Sequence, residues 1–254
     1  MVSMDRISNS RLERNLFPYF FETQRPLVCL AFVVPLLFCY ELGVLLLDDQ
    51  AVRNGVDQMI QHQLRRVGFG ELIVFPAIII GTLLFWHHWR RDRWAIRPIV
   101  LLGMLAESIF LGLILLCCAK AQKILLDPQA ASVLTMNFSV IYSIEWWTKL
   151  VSFIGAGIFE EFVFRLAAIA PFIFLGKRCL GSKKWYLVFI ICVISSIIFA
   201  LMHYDALNIA GSPFEWSSFL IRVLAGLFFC VIFLTRGFGV AVGVHAAYNV
   251  FTQF

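Results

Sequence analysis

Charge is what this chain has least of. Charged residues make up 15% of its 254 positions and hydrophobic residues 61%, with a mean hydropathy of +0.85; a soluble domain is about 25% charged and about 45–50% apolar. The shortfall excludes a water-soluble globular domain and predicts an integral membrane protein. No Cys-x-x-Cys pair occurs, and the cysteines at positions 29, 39, 117, 118, 179, 192 and 230 fall mostly inside apolar runs. They read as small hydrophobes, not as a disulfide framework or a zinc ribbon. No internal repeat, low-complexity tract or linker divides the chain. One membrane domain, residues 27–254, is therefore expected after a polar, basic segment, residues 1–26. The first apolar run is too long for a signal peptide and has no small-residue cleavage pattern, so it reads as an uncleaved span. Two catalytic signatures are also missing. Without His-Glu-x-x-His the usual zincin helix is excluded, and without Gly-x-Ser-x-Gly a serine nucleophile has little support. Ser195 and Ser196 lie about two helical turns from His203.

What is present is a series of long apolar runs: Leu27 to Leu47, Leu72 to Trp86, Pro98 to Ala119, Leu150 to Leu175, Trp185 to Met202, Ser217 to Thr235 and Phe238 to Phe254. The pattern predicts an all-α, polytopic membrane bundle of about seven transmembrane helices. The run Ala130 to Trp147 would make eight. It carries Asn137 and Glu145 and ends in Trp146 and Trp147, so it reads as interfacial. The net charge of +5 does not point to nucleic acid, because the cations collect at the ends of apolar runs. Arg6, Arg11, Arg14 and Arg25, then Arg90, Arg91, Arg93 and Arg97, then Lys177, Arg178, Lys183 and Lys184, then Arg236 would all face one side. Arg53, Arg65, Arg66, Lys120 and Lys123 would face the other. That bias predicts a cytoplasmic N-terminus, in the inner membrane if the cell is bacterial. Arg222, early in the sixth run, reads as a snorkelling residue. Glu41 and Glu107 are intramembrane carboxylates outside any motif and read as cavity-lining candidates.

Within the scarcity of charge, one segment stands out. Glu160, Glu161 and Arg165 lie inside the fourth run, where each charge costs at least about 2.5–3.5 kcal/mol at the centre of a span. Glu161 and Arg165 are four apart and share a helix face, so they can pair. Glu160 is turned about 100° away and needs a partner on another span. His203 ends the fifth run, and His245 and Asn249 lie one turn apart in the seventh. A carboxylate and an imidazole can activate a water, while a second imidazole and a carboxamide can hold an oxyanion, which together suffice for amide hydrolysis without a covalent nucleophile. Glu160, Glu161, His203 and His245 are equally acceptable as donors to Zn²⁺.

Gly155-Ala-Gly-Ile-Phe-Glu160-Glu161-Phe-Val-Phe-Arg165, Phe199-x-x-x-His203 and His245-x-x-x-Asn249, in that order on separate spans, resemble the CPBP family of intramembrane proteases. That family includes CAAX prenyl proteases and bacteriocin-processing or immunity proteins. The resemblance covers roughly residues 149–254. It implies that Glu160 is the catalytic base, that His203 orients the water, that His245 and Asn249 stabilise the oxyanion, and that Glu161 with Arg165 supports the fourth helix. It also implies a peptide or protein substrate that is lipidated or membrane-anchored, and commonly eight spans. The family has been described both as glutamate-type and as metal-dependent. The favoured expectation is a metal-free peptidase requiring no cofactor, with Zn²⁺ held by Glu160, His203 and His245 as the alternative. Two other readings compete: an ion-coupled transporter or proton relay built on the same ionisable residues, and a catalytically silent immunity or scaffold member. Against the transporter, the two halves of the chain contain no inverted repeat and no paired broken helices.

Overall fold

A computed structural model describes residues 18–47, 53, 55–66, 74–126, 144–172, 184–204 and 213–253. These residues are helical throughout their elements: α1 (Pro18–Thr23), α2 (Pro26–Leu47), α3 (Gly55–Arg66), α4 (Val74–Arg90), α5 (Pro98–Leu126), α6 (Ile144–Glu161), α7 (Lys184–Leu201), α8 (Trp216–Arg236) and α9 (Phe238–Phe251). Helices satisfy their own backbone hydrogen bonds, which hydrocarbon requires of any spanning segment. Among the described residues, α2, α5 and α8 are long and apolar enough to cross a membrane, and Tyr186–Leu201 and Phe238–Phe251 are shorter apolar helices. The described part of each apolar run is mainly helical, the run Leu150 to Leu175 being divided between α6 and a π-helical stretch, while residues 72–73 and 173–175 lie outside the described residues. The polar elements α1 and α3 were not foreseen. Residues 127–143 of the eighth candidate lie outside the described residues, while Ile144 to Trp147 form the first turn of α6.

The centre of the bundle is its shortest apolar helix. α9 packs against α2, α5, α6 and α8, and Phe238 through Ala246 are buried without interruption. Small residues make this possible by letting backbones approach closely. A Cβ on Gly157 of α6 would stand 2.8 Å from the Val242 carbonyl oxygen and 3.0 Å from the Ala246 nitrogen, both backbone atoms of α9. Backbone cannot step aside as a side-chain tip can. Gly157→Ala is therefore expected to lower stability by about 1–3 kcal/mol, as overpacking does. Thermal unfolding in detergent checks this against Gly81→Ala, whose added Cβ meets nothing within 4 Å.

No loop separates α8 from α9. Gly237 makes the junction with φ +88°, a conformation that glycine adopts without the usual steric penalty. Just before it, Arg236 pairs with Glu107 at 2.5 Å, and Tyr19 of α1 donates to the same carboxylate at 2.8 Å. Glu107 is thus an ion-pair partner, not the cavity-lining residue that its isolation in a hydrophobic run suggested. Its cation comes from a helix end remote in sequence. Nearby, buried Arg25 bonds Glu22 at 2.7 Å and the Ala95 carbonyl at 2.9 Å, tying α1 and α2 to the α4–α5 connection.

Candidate active site

The structure brings both glutamates to one place with both histidines. From α6, Glu160 turns its Oε2 towards α9 and the end of α7, lying 3.8 Å from His245 Nε2 and 4.0 Å from His203 Nε2. Phe159 beside it is gripped by Tyr40, edge-on at 5.0 Å between centroids, and by Phe75, stacked at 4.8 Å. Gly155 admits Tyr40, since a Cβ there would come within 2.3 Å of its ring. The register of α6, and with it the position of Glu160, is thereby fixed by aromatic packing from α2 and α4.

Each histidine is held through its Nδ1. His203 Nδ1 lies 2.8 Å from the Phe199 carbonyl oxygen, which can only accept, so Nδ1 carries the hydrogen. His245 Nδ1 lies 2.8 Å from Glu161 Oε1 and donates to that carboxylate when it is ionised. Both Nε2 atoms then point at Glu160. The two Nε2 atoms and the Glu160 carboxylate oxygen thus converge, a set that a proton, a water or a cation can bridge.

Glu161 does more than pair along its helix. Its Oε2 lies 3.2 Å from Arg165 Nε with both side chains fully buried, while its Oε1 holds His245. Beyond Glu161 the helix widens into a π-helical stretch over Phe162–Ala167, closed by a bond from the Ala168 nitrogen to the Val163 oxygen at 3.1 Å. Such stretches recur at functional sites. Arg165 lies within it and donates to the Gly226 carbonyl of α8 at 3.0 Å. Its guanidinium carbon is 4.7 Å from the Phe199 ring centre and 5.5 Å from that of Phe229, an arrangement that favours a desolvated cation. Phe229 in turn stacks on His245 at 4.4 Å and 14°. The order Arg165, Glu161, His245, Glu160, His203 therefore forms one polar chain through three helices.

Asn249 sits one turn beyond His245 on α9, half-buried, with its backbone carbonyl accepting from Thr252 Oγ1 at 2.7 Å. The His203 side chain is about a third exposed and that of Glu160 is 8% exposed, so His203 is the more exposed of the two. Sequence reasoning missed the Glu161–His245 bond. Its only signal was that two adjacent glutamates point to different helices.

A metal ion would need donors closer than these. Tetrahedral ligands at about 2.0–2.1 Å from zinc stand about 3.3 Å apart, against 3.8 and 4.0 Å here. Among the described residues, no group of three or more His, Cys, Asp or Glu side chains is set to hold a metal ion. The spacing suits a water that hydrogen-bonds to two of the three atoms.

The site gathers acid-base side chains from separate elements of a bundle of apolar helices. Residues 142–251 match the family model described as type II CAAX prenyl endopeptidase Rce1-like. This segment holds every motif residue, and the match bears out its resemblance to the CPBP family; the Rce1-like family is a protease family. No curated protein and no solved structure matches the chain. The apolar helices are those of an integral membrane protein, and the segment 142–251 is similar to a peptidase family.

Proposed function

We propose that this chain is an intramembrane endopeptidase that hydrolyses a peptide bond with a water activated by Glu160. The observation that carries the reading is the placement of Glu160 Oε2 between the Nε2 atoms of His203 and His245. A water seated there gives one proton to Glu160 while His203 Nε2 accepts its other hydrogen and fixes its direction. The resulting hydroxide attacks the scissile carbonyl. As charge develops on the carbonyl oxygen, His245 and Asn249 donate to it. For that role His245 must be an imidazolium, donating from Nδ1 to Glu161 and from Nε2 to the oxyanion. Glu161 compensates its charge, much as a buried carboxylate does in a serine-protease triad. Arg165 pairs with Glu161 and orients it. Collapse of the intermediate breaks the C–N bond, and the proton held by Glu160 passes to the leaving amine.

The substrate on this reading is a lipidated or membrane-anchored peptide that reaches the site from the His203 side. The cation bias along the sequence favours a cytoplasmic N-terminus and a bundle of seven or eight spans. Because the mechanism routes no step through a metal, purified protein dialysed against EDTA or treated with 1,10-phenanthroline should retain its hydrolysis rate within about twofold. Loss of activity on chelation, with recovery on adding Zn²⁺, would replace this mechanism with a metal-dependent one.

A further inference from the structure

Among the described residues, the most deeply buried carboxylate outside the Glu160 cluster is Asp57, in the first turn of α3. Its Oδ2 accepts from the Tyr40 hydroxyl at 2.6 Å and from the Arg53 guanidinium at 2.9 Å, and its Oδ1 accepts from the Gln61 amide at 3.0 Å. A buried carboxylate needs such partners to offset its lost hydration. Gln61 lies one turn beyond Asp57 and shares its face, so α3 turns a carboxylate and a carboxamide inward, while Gln58, Met59, His62 and Arg66 stay exposed. A helix held only by apolar burial would leave those two groups in water.

What Asp57 holds is the residue that sets the register of α6. Tyr40 of α2 is fully buried; its ring meets Phe159 edge-on at 5.0 Å and fills the space beside Gly155, where a Cβ would come within 2.3 Å of it. Glu160 follows Phe159 directly. Phe75 of α4 backs the Phe159 ring at 4.8 Å, and α3 packs on both α6 and α4. Ring contact alone leaves Tyr40 free to slide over the small face of α6, whereas a hydroxyl bonded to a carboxylate is held by a short, charge-assisted bond about twice as strong as a neutral one. The order Arg53, Asp57, Tyr40, Phe159, Glu160 thus runs from α3 and the residue before it into the cluster. Its first three members lie outside the matched segment 142–251.

We propose that Asp57 is a positioning residue for hydrolysis at Glu160: by anchoring the Tyr40 hydroxyl it fixes the ring that sets Phe159, and with it the reach of Glu160 Oε2 to His203 and His245. This role rests on the peptidase reading above and adds to it a helix, α3, that the matched segment does not contain. Asp57 acts through Tyr40, so its contribution is geometric. A displacement of about 1 Å at a reacting centre costs about a hundredfold in rate. Loss of one anchoring bond shifts Glu160 by a fraction of that, for an effect of about tenfold on kcat.

The probe is a farnesylated peptide with a Cys-aliphatic-aliphatic-Ala end, given to the protein in phosphatidylcholine vesicles. Tyr40→Phe, which removes only the hydroxyl, should lower kcat about tenfold and leave KM within about twofold, the mark of an interaction felt in the transition state alone. Arg53→Met/Asp57→Leu removes the anchor and its cation together, which should spare the melting temperature and cost kcat as much. Adding Tyr40→Phe to that pair should cost no more than about twofold further, because both changes break one bond. Arg53→Met/Asp57→Asn returns an oxygen that accepts from the hydroxyl, and kcat should recover to within about threefold of wild type. His62→Ala, on the exposed side of α3, is the control and should leave kcat unchanged. Full activity in Tyr40→Phe overturns the proposal, and so do losses that follow the melting temperature, that add fully, or that the asparagine substitution fails to repair. If the Met/Leu pair does not fold, Tyr40→Phe decides alone. The imidazole nitrogen NMR spectrum reads position without chemistry: Tyr40→Phe should move the Nε2 signals of His203 and His245 and leave those of His62, His87 and His88. Movement of all five histidines, or of none, overturns the proposal. If wild type leaves the peptide intact while those two signals still move, the hydrolysis reading fails and the positioning by Asp57 stands.

Discussion

Replacing Glu160 by glutamine should reduce hydrolysis by at least about a thousandfold while leaving the protein folded in the membrane. General-base catalysis is worth about 10²–10⁴-fold, and here the same oxygen also returns the proton to the leaving amine, so both halves of the reaction lose their carrier. The substitution preserves the volume of a side chain only 8% exposed and removes a charge from an apolar interior. Stability should therefore hold or rise. The check is a paired measurement, hydrolysis rate and melting temperature of the same detergent-solubilised sample. His203→Ala should fall less far, because it loses the orientation of the water and not the base. A Glu160→Gln protein with full activity would remove the water-activating carboxylate from the account.

Arg165 should behave in the opposite way, with stability lost first. It is the largest fully buried charged side chain in the bundle, and Glu161 beside it has no exposure at all. Arg165→Met leaves that carboxylate without its cation, which for a buried pair costs about 3–5 kcal/mol. The melting temperature should drop steeply and His245 should lose its fixed orientation. Removing both charges, as Glu161→Gln/Arg165→Met, should recover stability to within about 1 kcal/mol, because neutral pairs of similar volume replace buried ion pairs at little cost. Hydrolysis should nevertheless stay at least tenfold down. The glutamine oxygen can still accept from Nδ1, but it cannot compensate an imidazolium. Thermal melts separate the two effects: equal stability of wild type and Arg165→Met would mean that Glu161 does not depend on Arg165.

These two residues also mark how far the sequence can be read. The apolar runs gave the helices because a bilayer forces each long run into one, and the high cost of intramembrane charge singled out Glu160, Glu161 and Arg165. The helical period paired Glu161 with Arg165 correctly, as the 3.2 Å contact bears out. The second bond of Glu161 was not legible, because an adjacency of two glutamates does not say which histidine each one faces. Nor was the central place of α9. Lipid-facing and protein-facing residues are equally apolar, so nothing in the hydropathy of Phe238–Phe251, short for a span, marks its burial from Phe238 through Ala246. Only its glycines, Gly239 and Gly243, hinted at close neighbours. A Cβ on Gly243 would come within 2.3 Å of Ser108 Oγ, and one on Gly239 within 2.7 Å of the Met104 methyl. The π-helical stretch after Glu161 left no sequence signal, since Phe162–Ala167 is as apolar as any α-helix around it.

The central claim is that Glu160 makes this chain a peptidase, and it can be tested without knowing the substrate. Protein N- and C-termini are mapped across the proteome in cells expressing wild type or Glu160→Gln at equal levels. The account predicts a defined set of termini, from membrane-associated proteins, present with wild type and missing with Glu160→Gln. Identical sets of termini in the two strains would contradict it.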